Sequence, residues 1–211
     1  MLADARAEAR ARISADELGE RCAGVEDLAR IPGADVTAEL VGLLEEASWY
    51  LRDRVVAMLA ERPDATSAIA ASLATGTWFA RASACDALGR REDPAALADV
   101  LAQIEDRNVS VQKSAIDAVE RVAVARGADL VARALAARTP ESRRRIRARI
   151  AHQSPEWSAS LDAAFAAVPD VAITSRSRAV ATGMSPAQEE RAIVRFRKWL
   201  FSLPVSTEGR G

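Results

Sequence analysis

The chain has 211 residues, 49% of them hydrophobic but only 4% aromatic, and 29 basic residues against 30 acidic ones leave a net charge of −1. Near-neutrality gives no global field for a polyanion. Cys22 and Cys85 are too far apart and too few for a disulfide framework or a zinc site, and no apolar run approaches the roughly 18 residues of a membrane span.

Alanine supplies roughly a fifth of the residues, which favours closely packed helices over sheets. No stretch shows the sustained alternation that a strand requires, so an all-α fold is expected. The first residues alternate alanine with charge and lack the apolar stretch of a signal peptide, which points to the cytoplasm. Charge is unevenly spread: residues 171–211 hold seven basic and three acidic residues, leaving the first 170 near −5.

In chain order, residues 1–34 read as N-terminal capping helices that bury Ile13, Leu18, Cys22, Val25, Leu28 and Ile31. Residues 35–168 read as an array of helical hairpins. Four segments within it align, beginning at Leu51, Ala80, Val111 and Ser142, and so 29, 31 and 31 residues apart. Apolar or small residues recur in each at relative positions 1, 5, 8 and 9, one stripe of a helix. The fourth copy is degenerate, with Arg147 and Arg149 at positions that should be small or apolar.

Partner helices lie between these segments, over residues 36–46, 65–75, 94–105 and 128–137, with Leu40, Ile69, Leu101 and Leu135 among their stripe residues. Asp93-Pro94, Thr139-Pro140 and Ser154-Pro155 each place a capping side chain before a proline at the first helical position. Gly89 and Gly127 stand where helices should stop. A period near 30 that holds two helices predicts a solenoid, since one hairpin cannot bury both faces alone.

The run Ala80-Arg81-x-x-Ala84-Cys85-x-Ala87-Leu88-Gly89, followed by Asp93-Pro94-x-x-Leu97-x-x-Val100-Leu101, resembles the bacterial HEAT-like repeat first described in phycobilisome lyases. The resemblance covers about residues 35–153. It implies an α-solenoid of about four to five repeats whose second helices line a concave face. Arg54, Asp86, Lys113, Asp117, Arg144 and Arg145 would line that face, and their mixed charge suits a protein partner better than a polyanion. The motif is architectural, so it implies no lyase activity by itself.

A helix over residues 155–168 ends at Pro169, and 169–184 reads as a linker. An amphipathic C-terminal helix spans 185–203, with Ser185 as its cap, followed by a disordered tail over 204–211. Phe196, Trp199 and Leu200 are too apolar to stay solvated, so that helix is expected to dock on the array, on a partner, or on an anionic membrane surface.

No catalytic constellation is present. His152 is the only histidine, which excludes a His–His metal pair, and neither cofactor nor metal is expected. Cys85 falls at a core position. Trp49 and Asp53 lie one turn apart, with Trp78 and Arg81 in the next segment. This pattern is similar to that of HEAT-like DNA glycosylases for alkylated bases, though a solenoid aromatic near a helix start more often plugs the gap between repeats. Arg143, Arg144, Arg145, Arg147 and Arg149 form a basic patch that is either a solvated, partly paired face or a site for an acidic partner, phosphate or nucleic acid. A non-enzymatic scaffold or adaptor is the leading expectation. Nucleic-acid binding of the glycosylase type and a bilin lyase-like chaperone subunit are the alternatives.

Overall fold

The computed structural model describes residues 2–167. The expected linker over 169–184, the helix over 185–203 with Phe196, Trp199 and Leu200, and the tail over 204–211 lie outside the described residues. Those described form eleven α-helices and no strand. In order they are α1 Leu2–Ile13, α2 Leu18–Ala29, α3 Ala34–Gly42, α4 Trp49–Glu61, α5 Thr66–Ser72 and α6 Trp78–Arg91. Then come α7 Leu97–Gln103, α8 Val109–Arg126, α9 Ala128–Ala136, α10 Pro140–Gln153 and α11 Pro155–Ala167. Short 3-10 turns at Leu43–Glu45 and Pro94–Ala96 flank α3 and α7.

Side-chain caps set the helix starts. Ser48 accepts from the Leu51 amide, Thr77 from Ala80, Asn108 from Ser110 and Thr139 from Ser142, each worth about 1 kcal/mol. Asp93 caps the 3-10 turn before α7 as its Asp-Pro pair predicts, accepting from the Ala95 amide. Pro155 opens α11 as expected, and the hydroxyl of Ser154 before it donates to Glu120 on α8, tying the α10–α11 junction down.

The helices pack in two interleaved sets. Among the even-numbered ones α2 lies on α4, α4 on α6 and α6 on α8, while α3 lies on α5, α7 on α9 and α9 on α11. One apolar core joins them, its fully buried members running from Leu28 and Leu40 through Leu59, Leu88 and Ile116 to Leu135 and Ile146. The degenerate fourth segment differs in packing too, because α10 contacts α11 and α8 more than α9.

Gly127 stops α8 as its sequence position implies, with φ 103°. Gly89 does not stop α6, which continues to Arg91 and ends at the left-handed Glu92. Its purpose is close approach, since a Cβ on Gly89 would sit 2.7 Å from the Ala118 Cα of α8. Helix propensity favours alanine by about 1 kcal/mol, but a backbone-to-backbone overlap costs about 1–3 kcal/mol. Gly89→Ala is therefore expected to lower stability by up to about 2 kcal/mol in chemical denaturation; a stability gain would show that α6 and α8 are not in such close contact.

Two recurring polar devices tie neighbouring elements. Four residues beyond the N-cap of each even-numbered helix, a long donor side chain bonds a carbonyl of the segment before it. Arg21 reaches Ile13 O at 2.9 Å, Arg52 Ala47 O at 2.8 Å, Arg81 Gly76 O at 2.6 Å, Gln112 Asp106 O at 2.6 Å and Arg143 Ala136 O at 3.4 Å. The segment over 1–34, read from sequence as a cap, thus carries the same bond through Arg21.

The second device joins the opposite helix ends. Arg62, just past α4, donates to Ala29 O, Ile31 O and Gly33 O at 2.9, 2.9 and 3.0 Å. Arg91, the last residue of α6, donates to Leu59 O and Ala60 O at 2.9 and 3.0 Å and to Arg62 O. Arg126, the last of α8, donates to Glu92 O at 3.2 Å. Each arginine donates to carbonyls at or just beyond the end of the preceding even-numbered helix, where the regular ladder runs out, and shares Gly33 O, Leu59 O and Arg62 O with backbone amides.

Candidate functional site: a groove across three helices and an apolar edge

The face shared by α4, α6 and α8 carries an open groove of about 370 Å³. Trp49, Asp53, Ser83, Asp86, Asp117 and Arg121 are among its walls. A chain of ion pairs crosses this face: Arg90 bridges Asp53 and Asp86 at 2.9 and 2.8 Å, and Arg121 reaches Asp86 at 2.6 Å. Asp117 accepts from the Gln153 amide at 2.8 Å. The groove is polar, mixed in charge, and already organised by its own pairs.

Of the six residues expected on one face, the structure brings Asp86 and Asp117 together in this groove. Lys113 is exposed on α8 and has no ion pair among the described residues. Arg54 is tied instead to Glu26 of α2, Arg145 to Glu105 beyond the end of α7 at 2.6 Å, and Arg144 faces solvent. The reason is the reach of arginine: a carboxylate on a neighbouring helix captures the guanidinium before it can line the groove.

The glycosylase-like pattern also divides. Trp49 and Asp53 both line the groove, whereas Arg81 is half-buried and paired with half-buried Asp106, Nε to Oδ2 at 2.8 Å and Nη2 to Oδ1 at 3.0 Å. Burial alone would raise the Asp106 carboxyl. The Arg81 pair and the Asn108 amide outweigh it and hold the carboxyl below the ordinary aspartate range.

One feature was not visible as a set in the sequence. Leu18, Trp49, Trp78 and Val109 are the first residues of α2, α4, α6 and α8, and they are 38%, 68%, 48% and 74% exposed. Tyr50 is exposed beside Trp49, with ring centroids 4.8 Å apart, and Trp78 meets Phe79 edge-on at 5.6 Å. The tryptophans are therefore not plugs between hairpins; Phe79, half-buried against the core and covered by the Arg52 guanidinium at 4.7 Å, is the aromatic that packs inward. The signal available in sequence was position, each residue lying 29–31 from the next in the register that aligned the segments.

The basic patch is largely committed within the chain. Arg149 donates to Ile104 O at 2.8 Å, Arg147 pairs with Asp162 at 2.7 Å, and Arg143 and Arg147 lie over the Phe165 ring. Only Arg144 of the five has no such bond to the described residues. His152 is exposed in the last turn of α10, and no cluster of metal-ligating side chains occurs among the described residues. No described helix is long and apolar enough to cross a membrane.

Cys85 is buried, and that burial pushes its thiol up to about 12, so it is unreactive near neutrality. Cys22 is only half-buried. Alkylation of the native protein at pH 8 is expected to modify Cys22 and to reach Cys85 only after unfolding. Prompt native-state labelling of Cys85 would refute this packing.

No family model matches the chain, and no curated protein shows significant similarity to it.

Proposed function

We propose that this chain is a HEAT-like α-solenoid scaffold, non-enzymatic and cytoplasmic, that binds a partner protein across the α4–α6–α8 groove and the adjoining apolar edge. The carrying observation is the row Leu18, Trp49, Trp78 and Val109. Four apolar side chains at equivalent helix positions stay exposed although each could have been polar without disturbing the core. Tryptophan and tyrosine are the residue types that dominate protein interfaces, and the charged groove beside them supplies orientation. The five recurring bonds from Arg21 to Arg143 support the repeat reading on which the scaffold depends.

Because Trp49 and Trp78 are exposed, replacing both with alanine is expected to leave the unfolding transition nearly unchanged. The same double variant should lose stoichiometric partners that co-purify with the wild-type chain at native expression. Equal recovery from both chains, or no stoichiometric partner from either, would overturn the proposal. The nucleic-acid alternative has Trp49 and Asp53 in its favour, yet Arg81 is occupied by Asp106 and the first 170 residues carry about −5. Salt-sensitive binding of DNA in a low-salt titration would revive it. The bilin lyase-like reading has only the resemblance behind it, and a bilin-binding assay decides it.

A further inference from the structure

We propose that the cleft between α10 and α11 binds a single phosphate group, carried on a side chain of a partner protein. The cleft is open to solvent, has a volume of about 420 Å³ and is lined by Pro140, Arg143, Arg144, Arg147, Ser158 and Asp162 among others. Three arginines line it at positions i, i+1 and i+4 of one helix, with Arg144 at its solvent side, against one carboxylate. Arg147 alone is neutralised, by Asp162. Two positive charges are left, matching the near-dianionic charge of a phosphate monoester better than the single charge of a carboxylate.

The donors are also held in place. Phe165 on α11 lies beneath Arg143 and Arg147, with ring centroids 5.5 and 5.1 Å from their central carbons, which limits the rotamer freedom a bound anion would otherwise have to remove. Arg143 spends one donor on Ala136 O and keeps its others, while Arg144 makes no hydrogen bond or ion pair to the described residues. The Ser158 hydroxyl on the opposite wall adds a neutral donor without such a bond. The acidic balance of the first 170 residues opposes a long polyanion but leaves a local site for one phosphate intact.

The protein carrier depends on the scaffold reading, whereas the phosphate site does not. Inorganic phosphate is therefore titrated against the full chain at pH 7, with ionic strength held constant by sodium chloride, and followed by amide NMR. Saturable shifts confined to α10 and α11 are expected, with affinity weakened about tenfold or more in Arg144→Gln, whose unpaired side chain contributes little to folding. Shifts that do not saturate, that scatter over the chain, or that persist unchanged in Arg144→Gln overturn the site. O-phosphoserine is then compared with a short single-stranded oligodeoxynucleotide. Tighter, strongly salt-dependent binding of the oligonucleotide overturns the protein carrier, and comparable or tighter O-phosphoserine binding supports it.

Discussion

Arg62→Ala is expected to lower stability by about 3 kcal/mol, a fall of about 6–12 °C in Tm for a chain of this length. Arg62 is only 8% exposed and supports four acceptors at once: three carbonyls at and beyond the end of α2, and the Thr37 hydroxyl at 2.6 Å. Thr37 in turn donates to Asp64 at 2.9 Å, so the loss spreads to a second helix start. Each bond from a charged donor is worth about 1.5–3 kcal/mol, and water entering the adjoining cavity of about 630 Å³ recovers part of the total. Arg62→Lys should recover only a minor share, because one ammonium cannot reproduce a planar fork spanning three carbonyls. Denaturant melts that place Arg62→Ala within 0.5 kcal/mol of wild type, on the order of an ordinary surface change, would show that these contacts are not stabilising.

The Arg81–Asp106 pair should give the other large effect. Asp106→Asn keeps the shape but leaves a half-buried guanidinium without its counter-charge, and the expected loss is about 2–3 kcal/mol. The pH dependence has a definite sign. The Asp106 carboxyl lies below its unfolded value of about 3.9, so its stabilisation is complete above that pH and disappears as pH falls through the lower folded value. The gap between wild type and Asp106→Asn should thus be constant from about pH 6 to 8 and close below about pH 4. Replacing both partners with apolar residues, Arg81→Met with Asp106→Leu, is expected to recover only part of the loss, because it also removes the bond to Gly76 O and the acceptor of the Asn108 amide. A double variant no better than Asp106→Asn, or a gap that widens in acid, would contradict this account.

Particular residues show what the chain disclosed before its fold was known. Ser48, Thr77, Asn108 and Thr139 mark helix starts at the spacing of the aligned segments, because capping is local chemistry. The stripe through Leu51, Val55 and Leu59 is buried as its period implies. The first hairpin was harder to align, since Glu17 provides no side-chain cap and Gly24 and Asp27 occupy stripe positions. Gly89 misled because glycine both terminates helices and permits two backbones to touch. Arg54 and Arg145 were placed on the wrong neighbours because Glu26 and Glu105 stand 28 and 40 residues away in sequence. The exposed edge escaped notice because it lies off the buried stripe, and hydrophobic periodicity reports the stripe alone.

The arginines at the ends of α4, α6 and α8 all send their carbonyl bonds backward along the chain, and this gives assembly a direction. As the chain leaves the ribosome, the end of α2 keeps open carbonyls until Arg62 emerges, and the end of α4 until Arg91 emerges. At these three helix ends each later segment completes bonds to the one made before it. Truncation inherits the same polarity: a cut after α4 takes Arg91 from Ala60 O, whereas a cut before α3 removes three carbonyl acceptors of Arg62 and leaves it the Thr37 hydroxyl.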